Sequence, residues 1–345
     1  MGRDAMGFHE NIFGVSSTTA LGFHIVKRDT VDVLDQAEAL PFWSQDYTQL
    51  SKGTFSGSVD SVACNGIQIF TETMNRAVDQ IASAPQDCYV IGLPTVVDGQ
   101  SSWGLLPVTK YSLITLDKNS ELYFRTSNLS QITVAVIPAK RLEAYAEAND
   151  CLNFSKIMQS IKPVELLHSD VARLLLTVLL EGLQIDSDDN SLINLNDRWQ
   201  QYEEDLMSAC LHALLYVNEN KHPHFDHRIP RYIVNRVRDT TLKNSEFQFS
   251  IDELCHSLKI SRRTLNHAFI RVLGITPVTY IRNVRLHRIR YELINMPNGV
   301  SNIAFVATRW GFWHMSLFSR YYRELFGECP IDTLQRAKKN TSIKD

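Results

Sequence analysis

The pattern of hydrophobic positions changes twice along the chain. Up to about residue 60 it shows scattered aromatics such as Phe42, Trp43 and Tyr47 with no sustained period. That predicts irregular stretches and a strand. Between Val62 and Ile137 the pattern turns strand-like. The runs 67–73, 88–93, 111–116, 122–124 and 132–136 are short and rich in β-branched and aromatic residues, and Gly, Pro, Asn, Asp or Ser separates most of them. Short strands at this spacing predict a sandwich or a barrel. After Pro138 the apolar period becomes helical. A short helix is predicted over 139–149. A long one follows over 163–183, with Leu167, Val171, Leu174, Val178 and Leu179 on one face. Asp186 to Asp189 break it. Trp199, Tyr202, Leu206, Cys210, Leu211 and Leu214 then mark a second long helix. An apolar helix face serves equally as core against the β-structure or as a seam with a second subunit, so both readings stand for these two helices.

Residues 218–228 are polar and aperiodic, which predicts a linker between domains. His222, His224, Asp226 and His227 lie in it. A structural zinc site needs four converging ligands, so a solvated linker is the preferred reading. Beyond it a helix over 229–243 turns Ile233, Val234 and Val237 inward. Ser250 and Glu253 form a capping box that opens a helix over 251–258. A turn at Lys259-Ile260 leads to Ser261, which caps a second helix over 262–273, stopped by Gly274. Its inner stripe is Leu265, Ala268, Phe269 and Val272. Off that stripe lie Arg262, Arg263, Asn266, His267 and Arg271. Thr276-Pro277 opens a connecting helix to about Asn295, with Tyr280, Ile281, Val284, Ile289 and Leu293 apolar and Arg282, Arg285, Arg288 and Arg290 between them. Met296-Pro297-Asn298-Gly299 ends it. The pattern then repeats: a short helix with Ile303, Ala304, Val306 and Ala307, a turn at Trp310-Gly311-Phe312, a second helix over 313–326, and a Gly stop at Gly327. In this unit Phe318, Tyr321 and Phe326 are expected inward and Trp313, His314, Met315, Leu317 and Arg320 outward. Pro330 starts a last short helix.

Two helix-turn-helix units on one connecting helix can place two recognition helices in successive major grooves, which recur every ~34 Å on one face of B-DNA. Arg is suited to guanine O6 and N7, Asn to adenine N6 and N7. Charge sharpens this reading. The chain has 345 residues and a net charge of −3. That average hides a split: residues 229–345 carry 19 Lys and Arg against 9 Asp and Glu, and the other 228 residues carry 16 against 29. The basic part has the sign that displaces counterions from phosphates, and the acidic part has the opposite sign. The expected layout is therefore an effector-binding or dimerisation domain over 1–217 (β-rich over 62–137, helical over 139–217), the linker, and a DNA-binding domain over 229–338.

The remaining composition removes other classes. Hydrophobic content of 44% and charged content of 21% are ordinary for a globular protein. No apolar run reaches the ~18 residues of a membrane helix, and residues 1–10 lack a secretory core, so a cytoplasmic location is expected. Six dispersed cysteines without a CxxC predict reduced, mostly buried thiols. There is no GxSxG, HExxH or phosphate loop, so no catalytic residue, cofactor or metal is assigned. The competing readings are a DNA reader fused to a catalytic or metal-dependent N-terminal half, and a regulator with no small-molecule effector. The first needs an activated cysteine, and Cys64, Cys88 and Cys151 are far apart in sequence with no close Cys/His spacing. Should an effector pocket exist, Trp103, Tyr111, Tyr123 and Phe124 are its candidate lining.

Gly311-Phe312-x-x-x-Ser316-x-Phe318-x-Arg320-x-Tyr322-Arg323-x-x-Phe326-Gly327-x-x-Pro330, with Ile303-Ala304 upstream, resembles the signature of the AraC/XylS family of bacterial regulators. Ser261-Arg262-Arg263-x-Leu265 and Phe269 to Gly274 resemble the corresponding part of the first unit. Tyr322 stands where Phe is usual, and Trp313-His314 replaces smaller polar residues. Residues 67–72 and 310–314 are similar to regulators of the ethanolamine-utilisation type. The resemblance covers about the final third of the chain. It implies an α+β chain with a cupin-like β-barrel in the N-terminal half and an all-α reader behind it. It also implies sequence-specific binding to double-stranded promoter DNA, usually as an activator. The partners expected on that basis are a second copy docked through the N-terminal half, RNA polymerase and a small-molecule effector.

Overall fold

A computed structural model describes residues 18–20, 22–185, 192–220, 228–243, 250–295 and 302–342. The predicted linker centre, with His222, His224, Asp226 and His227, and the predicted 296–299 stop lie outside the described residues.

The N-terminal half runs β1 (Thr18–Ala20), β2 (Phe23–Thr30), α1 (Val33–Ala39), β3 (Ser44–Gln49), β4 (Gly57–Cys64), β5 (Ile67–Met74), β6 (Val78–Ser83), β7 (Cys88–Asp98), β8 (Ser101–Trp103), β9 (Leu106–Val108), β10 (Ser112–Leu116), β11 (Glu121–Arg125) and β12 (Leu129–Pro138). It continues through α2 (Ala139–Ala148), α3 (Phe154–Ser160), β13 (Val164–Leu166), α4 (Ser169–Leu183) and α5 (Leu192–Glu219). The strands form two sheets. One has eight strands in the order β1-β2-β4-β5-β12-β7-β10-β13, the other five in the order β3-β6-β11-β8-β9. Among the described residues no barrel closes, which corrects the barrel expectation. Strand spacing alone does not separate a barrel from two sheets, because both alternate in the same way.

The alternation shows what lies on each face of the large sheet. Val134 and Val136 of β12 join a core with Trp103, Val108 and Phe124 of the smaller sheet. Ala135 and Ile137, on the opposite face, join a core with Leu142, Leu175, Leu179, Trp199, Leu206 and Leu214 of the helices. The predicted face of α5 is therefore intrachain core: Trp199, Tyr202, Leu206, Cys210, Leu211 and Leu214 are all buried. The single helix predicted over 163–183 is corrected to β13 and α4. Val164 and Leu166 pair with Ile114 and Ser112 at the sheet edge, and this tertiary pairing overrides the local helical period. The helix then buries Ala172, Leu175, Val178, Leu179 and Gly182, leaving Leu174 48% exposed. Residues 22–60 hold more regular structure than predicted, with β2, α1, β3 and the start of β4 in place. The four suggested pocket aromatics do not converge. Trp103 and Phe124 are cross-strand core neighbours, Tyr111 is exposed, and Tyr123 lies under the Arg231 guanidinium.

The C-terminal third is all helix: α6 (Arg228–Lys243), α7 (Ile251–Leu258), α8 (Arg262–Leu273), α9 (Pro277–Asn295), α10 (Ile303–Arg309), α11 (Met315–Phe326) and α12 (Pro330–Ser342). The connecting helix α9 belongs to two cores. Tyr280, Ile281 and Val284 pack with Val234, Leu265, Phe269 and Val272 of the first unit. Leu286, Ile289 and Leu293 pack with Val306, Phe318, Tyr322 and Phe326 of the second. Its remaining side docks on the N-terminal half, so Asn283, His287 and Arg290 are buried as well.

That docking is rich in ion pairs. Asp79 of β6 accepts from Arg231 Nη1 and from the Tyr280 hydroxyl, each at 2.9 Å. Asp32, which also caps α1, accepts from Arg290 Nε. Asp46 of β3 pairs with Arg238 and, at 3.5 Å, with Arg288. Arg290 reaches further, donating to the Tyr322 hydroxyl at 3.1 Å and pairing with Glu328 at 2.8 Å. Three carboxylates of the acidic half thus meet four guanidiniums of the basic half.

Removing one member of a buried pair strands the other charge. Asp79→Ala leaves the Arg231 cation and the Tyr280 hydroxyl without their shared acceptor. The expected loss is ~3–5 kcal/mol of unfolding free energy, measured by urea denaturation of the full chain. A loss below 1 kcal/mol would show that water replaces the carboxylate freely.

Candidate nucleic-acid interface

Each helix-turn-helix unit is set by local chemistry. In the first, the Ser250 side chain accepts from the Glu253 N–H at 3.1 Å and Glu253 reaches back to the Ser250 N–H at 2.6 Å, which starts α7. Lys259 ends that helix with φ 54°, and the chain turns into Ser261, whose hydroxyl accepts from the Thr264 N–H at 3.1 Å to start α8. Gly274 ends α8 in the left-handed region at φ 69°. The predicted inner stripe of α8 is buried, and Arg262, Arg263, Asn266, His267 and Arg271 are all exposed together on its outer side. Arg262 differs from the rest. It makes a forked pair with Asp252 of α7, with Nε to Oδ1 at 2.5 Å, and the cation holds the Asp252 carboxyl below its ordinary value. Asp252 was not legible as a partner, because nothing in a helix's own period reports a contact to a neighbouring helix.

The second unit departs from the sequence reading at its start. Its recognition helix begins at Met315, with His314 as N-cap and no side-chain bond to close the first turn. Trp313 and His314 therefore sit in the turn, not in the helix predicted over 313–326. Trp313 is 67% exposed and Leu317 38% exposed. Met315 is half-buried, packing partly against the core with Phe312. Arg320 is exposed and lies 3.8 Å from Glu324. Inward, Phe318 and Phe326 are buried as expected, and so is Tyr322, whereas Tyr321 is half-buried under the Arg282 guanidinium. The two outward edges are chemically unequal: polar and cationic on α8, bulky and apolar at the head of α11.

Both recognition helices end against the N-terminal half. A Cβ on Gly274 would meet the Arg125 guanidinium at 2.5 Å, and one on Gly327 would collide with Thr54. The end of β3 and the stretch after it do more. The Gln49 N–H donates to His287 Nε2 at 2.9 Å and its carbonyl accepts from Asn283 Nδ2 at 3.1 Å. The Gln49 side-chain amide donates to the carbonyl of Leu325 at 2.6 Å, and the Gly53 N–H donates to that of Glu324 at 3.0 Å.

The profile described as a helix-turn-helix domain matches residues 254–336. Over 107 residues the chain is 36% identical to the XylDLEGF operon transcriptional activator of Pseudomonas putida, covering 31% of this chain and 33% of that protein. The C-terminal third is a helix-turn-helix domain of the AraC/XylS type. Two solved structures are also similar. One is a probable AraC family transcriptional regulator from Rhodopseudomonas palustris, 31% identical over 31% of this chain and 97% of its own, with a TM-score of 0.29. The other is the AraC-like transcriptional activator CuxR, 15% identical over 77% of this chain and 96% of its own, with a TM-score of 0.40. The chain spans from about a third to about two thirds of the length of the first curated relatives it matches.

Within this AraC/XylS-type domain the basic charge is not all directed outward. Arg231, Arg238, Arg288 and Arg290 face carboxylates of the N-terminal half. Arg262, Arg309 and Arg336 pair with Asp252, Glu292 and Glu328 inside the domain. No helix among the described residues is long and apolar enough to cross a membrane. Nor does any group of three or more metal-type side chains converge among them. All six cysteines are free, with Cys64, Cys88, Cys210 and Cys255 buried.

His287 gives the seam a pH dependence. Burial, then the Arg290 charge, lowers its pKa to about 3, against the opposing pull of Asp46. Its Nε2 accepts the Gln49 N–H, so the docked form is the neutral ring. An unfolded chain binds a proton there below ~6.5, whereas the folded one does not until about 3. Folded stability is therefore expected to fall as pH drops through that window, by at most ~1.4 kcal/mol per unit from this group. His287→Gln, which keeps an acceptor, should flatten the dependence of Tm on pH between 6.5 and 5. Parallel slopes for both proteins would remove His287 as the cause.

Proposed function

We propose that the whole chain is a sequence-specific DNA-binding transcription regulator that reads two successive major grooves with α8 and α11. The observation that carries this is the pair of recognition helices, each with its outer edge exposed, held on one connecting helix that belongs to both cores. In this reading Arg263 and Asn266 are the direct base readers, suited to guanine and adenine. His267 and Arg271 extend the same edge, and Arg262 is presented at a set angle by Asp252. On the second helix Trp313 and Leu317 offer apolar contact of the kind thymine methyls accept, with His314 and Arg320 beside them.

Activation is the preferred sign, in keeping with the name of the Pseudomonas putida relative, and RNA polymerase is then a partner. A second copy through the N-terminal half fits the outer side of α4, where Leu174 and Leu180 are exposed. A small-molecule effector belongs to that half as well. The likeness of residues 67–72 to ethanolamine-utilisation regulators does not identify it, since Ile67, Ile69 and Phe70 are buried strand residues that report packing.

A footprint on the chain's own promoter region is expected to protect two successive helical turns per protomer. Protection of a single turn would sink the two-unit reading. Arg263→Ala should weaken binding to the specific site by ~1–3 kcal/mol, as for one good base contact, and leave binding to random DNA nearly unchanged. The measurement is the ratio of specific to non-specific Kd at one fixed salt concentration. An unchanged ratio would take Arg263 out of the reading set.

A further inference from the structure

The last turn of any helix leaves carbonyls without intrahelical donors, and they need partners. For α11 the Arg323 carbonyl receives the Gly327 N–H at 2.8 Å, which is the helix's own cap. The next two carbonyls are satisfied from the N-terminal half: Glu324 by the Gly53 N–H and Leu325 by the Gln49 amide. Lys52 adds a bond to the Glu324 carboxylate at 2.7 Å. Meanwhile Leu50, the next residue after Gln49, is buried in the core of the first unit with Val237, Leu265 and Leu273. Gln49 itself is bonded through its backbone to Asn283 and His287 at the middle of α9. Two adjacent residues thus tie the first unit, the connecting helix and the end of the second recognition helix. The Gln49 amide nitrogen also lies 2.8 Å from each of the Ser51 and Gly53 carbonyls, so its two N–H groups are shared among three acceptors. It is surrounded by acceptors, which fixes its orientation and leaves its own oxygen without a partner.

We infer that Gln49 is a positioning residue for two-site DNA reading. With residues 50–54 it sets the separation and angle of α8 and α11, so the N-terminal half splints the DNA-binding domain into one register. A mask would cover the reading edges. Here Arg263, Asn266, His267, Trp313 and Leu317 stay exposed while the N-terminal half is docked on the opposite ends of both helices. The inference rests on the proposed two-groove reading.

The test uses the full chain, wild type and Gln49→Leu, which keeps the volume and removes the amide. Kd is measured on duplexes with the natural site, with about five base pairs (half a turn) inserted between the half-sites, and with the first half-site alone. Wild type should protect two turns and lose at least about tenfold in affinity on insertion. Gln49→Leu should lose about tenfold on the natural site, keep its affinity for the first half-site, and become nearly indifferent to the insertion. Lys52→Glu, at an exposed position facing Glu324, should shift the same quantities in the same direction by about threefold, and it carries the test if Gln49→Leu does not fold. A folded Gln49→Leu with wild-type footprint and wild-type spacing dependence overturns the inference, as does an unaltered Lys52→Glu if that variant has to stand alone. A wild type that protects only one turn fails the two-groove reading itself, a result visible before any variant is made.

Discussion

A polar side chain buried on a helix needs a partner, and the buried polar side chains of α9 find theirs in large part on the docked N-terminal half. Against an apolar surface Asn283 and His287 would lose the Gln49 backbone, and Arg290 would keep only Tyr322, Thr333 and Glu328 of its own domain. Here they meet Gln49 and Asp32. Buried ion pairs of this kind add little net stability over an apolar packing, because desolvation offsets most of the attraction. Their effect is on geometry. An apolar seam tolerates sliding, whereas Asp32–Arg290 and Asp79–Arg231 are satisfied in one arrangement. The two halves of the chain are accordingly held at a defined angle by groups near both ends of α9, with Tyr280 bonded to Asp79 at one end and Arg290 to Asp32 at the other.

The same contacts revise what the charge split means. Read as a sequence, a basic last third beside an acidic remainder suggests a basic surface for phosphates and an acidic body kept away from them. In the fold, part of that opposition is internal: Asp32, Asp46 and Asp79 complement Arg290, Arg238, Arg288 and Arg231 across the seam. Further arginines pair within the domain itself. Arg263 and Arg271 on α8 remain exposed, as does Lys259 in the turn before it. Arg320 and Lys339 are exposed on the second unit as well, so the exposed cationic charge is spread over both units.

The sequence made the reader domain legible and the seam invisible. Capping residues act within a few positions of themselves, so Ser250, Glu253, Ser261, Gly274 and Gly327 could be placed from local spacing, and the helices start and stop where those residues direct. The inner stripes of α5 and α8 followed from the 3.6 period. What failed depended on contacts distant in sequence. Residues 164–166 become a strand because Ser112 to Ile114 offer an edge. Among the described residues the strands form two sheets because β3 and β11 both pair with β6, a choice that alternation does not encode. Gln49 shows the limit most clearly. It is a polar residue at a strand end, indistinguishable in sequence from a solvated one, and its partners are more than two hundred residues away.

The chemical inequality of the two reading edges makes a positioning device most useful where this fold has one. In the proposed reading the hydrogen bonds from Arg263 and Asn266 are directional and the cation also acts over a Debye length, so the first unit could orient on DNA by itself. Apolar contacts from Trp313 and Leu317 have no such reach. They contribute only at van der Waals separation, and an error of an ångström or two in the placement of α11 forfeits most of their energy. No side-chain bond caps the first turn of α11, at His314. Its opposite end is held by Gly327, by the Gly53 N–H and by the Gln49 amide. A short-range reader fixed from behind by the N-terminal half fits the proposed division of labour, in which the first unit supplies directional readout and the second supplies fit that counts only when its register is set.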